Sequence, residues 1–306
     1  MPQEINCRCI VLINNKLSTM IDRRLSIAPM MDHTDKHFRY LMRLLTKHTI
    51  LYTEMITTGA LIHGNRKKFL DFNPEEHPIA IQLGGNNPKE LSKCAQMAEN
   101  EGFDEVNLNL GCPSNRVQNG KFGACLMAEK ELVAECVNDI SSSIKIPVSI
   151  KTRIGIDNYD TYDFLKEFID TVSLAGCKTF IIHARKAILK GLSPKENRKI
   201  PPLNYQRVYK IKKESPNLNI IINGGFTELD KIKSQLKYVD GVMLGRVAYQ
   251  NPFLLSKIDN MIFNKSETIS TRLNILEKYK IYAERKVKEG ENIKNLTRHI
   301  IGLYQG

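Results

Sequence analysis

Eight short apolar runs recur along the chain, each separated from the next by a stretch long enough for a helix, and this alternation restricts the fold more than any other feature. The runs are Leu25 to Ala28, Ile50 to Thr53, Ile79 to Leu83, Glu105 to Leu110, Pro147 to Lys151, Thr179 to His183, Asn219 to Ile222 and Gly241 to Leu244. They are apolar on both faces, as strands buried in a parallel sheet must be. The segments between them carry helix signals. Residues 87–100 open on Asn-Pro and close near Gly102, and residues 160–174 space their apolar positions by three and four. Eight such units in roughly 230 residues match a (β/α)8 TIM barrel. A doubly wound open sheet is the alternative. From about Ser256 the strand signals stop, and 271–287 reads as one long helix, so residues 256–306 form a candidate small helical domain after a barrel spanning 21–255.

The first 20 residues contain the short apolar stretch CIVLI, preceded by an acid and lacking a small-residue cleavage site. They read poorly as a signal peptide, and Met20 would serve equally well as a start, so 1–20 is expected to be an appendage outside the fold. No apolar run approaches the ~18 to 20 residues of a membrane span, and no membrane partner is expected. Seven cysteines, an odd number scattered over 306 residues, point to reduced thiols in a cytosol-like compartment. Cys7 and Cys9 have no second Cys or His pair at zinc spacing, so no metal is expected.

In a barrel of this kind, functional groups gather where strands end. Just past the eight runs stand Pro29 and Met30, Glu54, Gln82, Asn109 with Cys112, Lys151 with Arg153, His183 with Arg185, Asn223 with Gly224 and Gly225, and Gly245 with Arg246. A barrel built only for packing has no reason to interrupt apolar strands with Gln82, Asn109, Lys151 and His183, since each would need a buried partner. Glycines ending the last two strands, with Arg246, suit a phosphate held by backbone N–H groups. The chain has neither GxGxxG nor GxxxxGK, so the phosphate fits a mononucleotide such as FMN better than a Rossmann dinucleotide. Lys151 can stabilise a reduced flavin anion and Gln82 can bond the ring's polar rim, although a Schiff-base lysine is the competing idea. Cys112 lies in the turn Asn109-Leu-Gly-Cys-Pro-Ser114. A free thiol is mostly protonated at neutral pH, so it can give a proton as well as attack.

The 45 Lys and Arg exceed the 33 Asp and Glu by 12, which favours a polyanionic partner. Residues 185–213 hold ten of those cations (Arg185, Lys186, Lys190, Lys195, Arg198, Lys199, Arg207, Lys210, Lys212, Lys213) against only Glu196. This excess is expected on the same rim as His183, tracking a phosphate backbone.

The segments APMMDHTDKHFRYLMRLL, LYTEMITTGALIHG, IQLGG, NLNLGCPSNRVQNGKFGACLM, KTRIGID, IIHARKAILKGLSPKENRKIPPL, INGG and GVMLGR together resemble the tRNA-dihydrouridine synthases, bacterial branch A, from about Leu25 to Asn251. The resemblance implies an FMN-binding TIM barrel followed by a helical tRNA-binding domain. It implies an enzyme that uses NADPH or NADH to reduce uridines of the tRNA D-loop, at positions 20 and 20a. Carried over residue by residue, Pro29, Met30, Met31, Gln82, Lys151, His183, Asn223, Gly224, Gly225, Gly245 and Arg246 are the expected FMN contacts. Cys112 is the expected proton donor to uracil C5, with hydride reaching C6 from flavin N5. Asn109, Arg185, Glu196 and Lys199 are the expected tRNA contacts, toward the D-loop and elbow. A cytoplasmic monomer is expected. The family continues past the segment like HIIGLYQG, so the helical domain, which ends here at Gly306, is expected to be truncated. Two rivals stay open: another FMN barrel acting on a small molecule, such as a dihydroorotate or enoate reductase, and a tRNA-binding module whose flavin chemistry is dispensable.

Overall fold

A computed structural model describes residues 21–305. The expected appendage at 1–20, with Cys7 and Cys9, lies outside the described residues. Eight parallel strands form one sheet: β1 (Leu25–Ile27), β2 (Leu51–Thr57), β3 (Ile79–Gly84), β4 (Glu105–Leu110), β5 (Val148–Arg153), β6 (Thr179–His183), β7 (Asn219–Asn223) and β8 (Gly241–Leu244). Neighbours pair in sequence order, β1 also pairs with β8, and a bridge from Ser26 to Ile50 joins β1 to the start of β2. The sheet is therefore a TIM barrel and not an open doubly wound sheet. The strands keep to their expected bounds within one or two residues, except β2. β2 runs on to Thr57 through a register shift between Tyr52 and Met55, a bulge that the polar Glu54 disguises as a strand end.

Four of the return helices are opened by a side chain that accepts free N–H groups. Asp35 takes His37 N and Phe38 N of α1 (Lys36–Leu45). Asn87 caps α2 (Pro88–Glu101), which ends where Gly102 turns left-handed at φ 103°, a conformation that suits glycine. α3 spans Lys130–Ser143; Thr161 caps α4 (Tyr162–Leu174) and Asn204 caps α5 (Tyr205–Glu214). The helices bury their apolar faces on the outside of the barrel. Inside, a much smaller set fills the lumen: Ala28, Ile50, Tyr52, Ala80, Ile181, Ile221 and Met243.

The floor of the lumen is charged. Glu105, fully buried, accepts from Tyr52 Oη at 2.9 Å and pairs with Arg23. Removing one partner of such a pair costs ~3–5 kcal/mol, because the other is left buried and uncompensated.

After β8 the chain descends the outside of the barrel. Asp259 there accepts from Thr46 Oγ1 and Lys47 N, both at 2.6 Å. It then forms α6 (Arg272–Lys288), capped by Thr271. α6 packs on α1, where Tyr40 and Tyr282 stack with centroids 3.8 Å apart. The chain end brings Arg298 and His299 to Asp35. No helix among the described residues is long and apolar enough to cross a membrane.

Candidate active site

Strand pairing places the polar strand ends side by side. Asn109 is level with Lys151, Arg153 with His183, and His183 with Asn223. Residues two apart on a strand share a face, so Asn107 and Asn109, and Lys151 and Arg153, point into the barrel together. Lys151 Nζ donates to Asn223 Oδ1 at 3.3 Å, and Asn223 Nδ2 donates to Met243 O at 2.7 Å. Gln82 is buried, and its Oε1 accepts from Asn109 Nδ2 at 2.8 Å. The Asn109 carboxamide oxygen in turn takes Gly111 N at 3.2 Å and Cys112 N at 3.0 Å, fixing the turn that carries Cys112.

The thiol of Cys112 is half-buried and donates to Ser114 Oγ at 3.5 Å. Of the other described cysteines, Cys94, Cys136 and Cys177 are buried and Cys125 is half-buried. Burial pushes Cys94 up to about 11 and Cys136 and Cys177 up to about 12, and it raises Cys125 as well. Those thiols are small hydrophobes, chemically quiet at neutral pH.

Gly224 and Gly225 follow β7 with φ of 122° and 80°. A Cβ on Gly224 would meet His183 Cδ2 at 2.8 Å, and one on Gly225 would meet Tyr205 Oη at 2.9 Å. Only glycine fits this turn, which lays bare backbone against the His183 ring. At Gly245 a Cβ would touch nothing within 4 Å, so that strand end faces open space beside Arg246.

The mouth is dominated by cations. Burial first, then Arg153, lowers Lys151 to about 7. Burial lowers Arg153 to about 10, with Arg198 and Arg185 repelling it. Arg185 and Arg198 are lowered by burial and by the nearby Arg246. No carboxylate contributes to these four shifts among the described residues. His183 is driven well below its ordinary value by burial and by Arg153, so its ring is neutral. Buried and half-buried cations with no carboxylate beside them among the described residues, set around a glycine turn, form a receptor for an anion. That donor set fits a flavin mononucleotide, whose phosphate and ring edge are both electron-rich.

The sequence placed Arg153 at a strand end beside Lys151 but gave it no role, and it is Arg153 that ties the site together. Its Nε donates to Gly111 O at 3.1 Å and its Nη1 to Lys186 O at 3.2 Å and Asn197 O at 3.1 Å. The Cys112 turn and the loop after β6 are thus held by one guanidinium. Gln118 adds a second tie, from Pro113 O to Leu189 O. The i, i+2 spacing from Lys151 was the available signal, but the partners are backbone carbonyls of distant loops, which no pattern announces.

The expected contacts divide as follows. Gln82, Asn109, Cys112, Lys151, His183, Asn223, Gly224 and Gly225 are joined by strand pairing, hydrogen bonds or close approach. Arg246 reaches the cluster electrostatically. Pro29 and Met30 are half-buried after β1, and Met31 is exposed. Arg185 Nη1 bonds Lys199 O and Pro201 O, folding the loop back on the mouth. The Glu196 carboxylate is engaged within its own turn by Ser193 N at 2.8 Å and Ser193 Oγ at 2.6 Å.

The expected cationic rim needs correction. α5 runs from the mouth to the opposite end of the barrel, so Lys210, Lys212 and Lys213 in its later turns do not share the rim with His183. Lys212 pairs there with Asp240 at 2.8 Å. Lys186 and Arg207 pair with Asp160, at 3.1 and 2.7 Å. Two acids outside the 185–213 window, Asp160 and Asp240, offset part of its apparent excess.

Residues 26–306 match the dihydrouridine synthase (Dus) family. The tRNA-dihydrouridine(20/20a) synthase of Shewanella oneidensis is 56% identical over 289 residues, covering 94% of this chain and 86% of the relative. The Escherichia coli K12 protein of the same name is 54% identical over 284 residues, covering 92% and 82%. That of Synechocystis is 52% identical over 282 residues, covering 92% and 84%. Among solved structures, a 2-naphthoyl-CoA reductase complexed with 2-naphthoyl-CoA aligns with a TM-score of 0.58 at 13% identity, over 78% of this chain. The chain spans about half (51%) of that reductase's length, and the likeness is one of fold.

Proposed function

This chain belongs to the dihydrouridine synthase family, and from that premise we propose that it reduces the C5–C6 double bond of uridines in the tRNA D-loop, at positions 20 and 20a. The observation that carries the reading is the placement of a half-buried thiol, Cys112, on the same mouth as Lys151, His183 and the Gly224-Gly225 turn. Bound FMN, re-reduced by NADPH or NADH, supplies hydride to uracil C6.

The residues divide the remaining work. Gly224, Gly225 and Gly245 offer backbone N–H groups to the phosphate, with Arg246 beside them. Lys151 steadies the electron-rich edge of the ring and is itself oriented by Asn223. Gln82 would bond the polar rim of the ring, and Pro29, Met30 and Met31 would supply further contacts to it. His183, being neutral, offers the phosphate a hydrogen bond and no charge. Cys112 holds a proton on Sγ and releases it to C5, where charge collects once C6 is reduced. The second N–H of Asn109 is available to a uracil carbonyl, where it would stabilise that charge.

The target base must leave its stack, which costs least in a loop already distorted. Arg185, Lys199 and Arg198 on the loop after β6 meet the tRNA backbone, and Glu196 braces that loop. The helical segment of 256–306 forms the opposite wall for the elbow. The setting is a cytoplasmic monomer.

Cys112→Ala is expected to keep one flavin per chain and lose roughly 10²–10⁴-fold in turnover on tRNA, the usual reach of a positioned general acid. Wild-type rates of single-turnover oxidation of the reduced variant by tRNA would overturn the role. A colourless wild-type protein after FMN is added would remove the flavin reading altogether.

A further inference from the structure

The barrel lumen contains a hydrogen-bond chain that no step above uses. Glu105, at the first residue of β4 and fully buried, accepts from Ser149 Oγ. Ser149 Oγ accepts from Asn107 Nδ2 at 2.8 Å, and Asn107 Oδ1 accepts from Gln82 Nε2 at 2.8 Å. Gln82 Oε1 accepts from Asn109 Nδ2 at 2.8 Å, and Asn109 Oδ1 accepts the backbone N–H groups of Gly111 and Cys112. The members meet because strand register sets Gln82, Asn107 and Ser149 at one level of the lumen. The chain climbs the length of β4, roughly 13 Å at ~3.3 Å per residue.

Its direction is fixed at both ends. A carboxylate paired with Arg23 can only accept, so the single hydrogen of Ser149 is committed to the floor. Its oxygen must then accept, which turns the Asn107 amide nitrogen toward it, and the same logic orients Gln82 and Asn109 in turn. At the top, backbone N–H groups can only donate, and they demand the same orientation. Reversing the Asn109 carboxamide would set N–H against N–H and release the Cys112 turn.

We propose that Glu105 is a positioning residue: from the barrel floor its carboxylate sets the donor direction of the Ser149, Asn107, Gln82 and Asn109 chain, and so holds the Cys112 turn in its reactive arrangement. Glu105 touches neither substrate nor flavin. The inference rests on the reading of Cys112 as the proton source. It adds that the thiol's placement is governed from the opposite end of the barrel, and that the spare N–H groups of Gln82 and Asn109 are presented as donors for the same reason.

Glu105→Gln is the direct variant, but it strips Arg23 of its counter-charge and can fail to fold. Ser149→Ala leaves the Arg23, Glu105 and Tyr52 cluster in place and cuts the chain above it; Ser149→Thr keeps the hydroxyl. Each is compared with wild type as the full, FMN-loaded protein, by steady-state kinetics on tRNA and by amide hydrogen exchange. Ser149→Ala is expected to lose about tenfold in kcat at unchanged KM, the order of one lost hydrogen bond. Exchange should quicken in residues 108–114 and not in β7 or β8, and Ser149→Thr should restore both readouts.

Several results would overturn the proposal. They are wild-type kcat and exchange in Ser149→Ala, a loss that Ser149→Thr does not repair, exchange quickened across all strands, or failure of Ser149→Ala to fold. The last two would make the chain a strut of the barrel. No turnover by the wild type would instead sink the reading of the site.

Discussion

Lys151 shows how one side chain can carry a measurable signature of the site. Burial and Arg153 hold it at about 7, so the flavin-free protein loses this charge as pH rises through neutrality. A bound anion favours the protonated form, so binding above pH 7 takes up a proton. FMN affinity should therefore weaken with rising pH, by up to about tenfold per unit while the amine titrates. His183 adds nothing to this slope, because it is neutral throughout. Fluorescence titration of the apoprotein between about pH 6 and 9 should show the slope in wild type and a weaker, flat profile in Lys151→Met; parallel profiles would remove Lys151 from the anion site. Lys151 and His183 were legible in the sequence because each interrupts or ends an apolar strand, and Cys112 because it stands in the turn that leaves one. Asn107 and Ser149 were not, since polar residues inside a strand look like solvent-facing positions until the barrel closes around them.

Among the elements, the strands were the most legible, because their helix-covered faces are apolar and turns bound each run, even where the lumen-facing positions of β4 and β5 are polar. The loop after β6 was legible in charge and illegible in shape. It is shaped by Asn197, fully buried, whose Oδ1 takes Ile188 N at 2.7 Å and whose Nδ2 reaches the carbonyls of Ile188, Leu192 and Ser193. One asparagine bonding four backbone groups leaves no periodic trace. The direction of α5 matters equally, because it separates cations that are adjacent in sequence. Arg198 stands beside Arg246 at the mouth, whereas Lys213 lies in the last turn of α5 at the far end. Arg198→Glu should weaken tRNA binding several-fold and lower the salt slope of log K by about one. Lys213→Glu, with the same change in net charge, should leave both near wild type. Equal effects from the two, in filter binding over a salt series, would mean that only net charge counts.

For the whole molecule, the question is what joins the helical tail to the barrel, since the proposed tRNA cleft needs both walls. The sequence announced α6 by its length but gave no sign of its docking, because the partners, aromatic and polar alike, lie far apart in the chain. Lys36 pairs with Glu291 at 2.7 Å, and Asp35 receives Arg298 and His299. His37, buried, sets Nδ1 2.8 Å from Tyr282 Oη and Nε2 3.6 Å from Glu291. Burial lowers the pKa of His37 below 6.5, with Lys36 and His299 adding to the shift, against the pull of Asp35 and Glu291. The folded state therefore resists a proton that the unfolded chain accepts, so stability is complete above 6.5 and drains away as pH falls below it. Burial alone would raise the Asp35 carboxyl, but the bonds from His299, Phe38 and Arg298 hold it far below its ordinary 3.8. Its contribution is lost only in strong acid and does not enter the same window. The melting temperature of wild type should thus fall more steeply than that of His37→Gln between about pH 7.5 and 5.5. Glutamine keeps a hydrogen bond for Tyr282 and cannot be charged, so parallel curves would show that the tail is docked without help from a neutral His37.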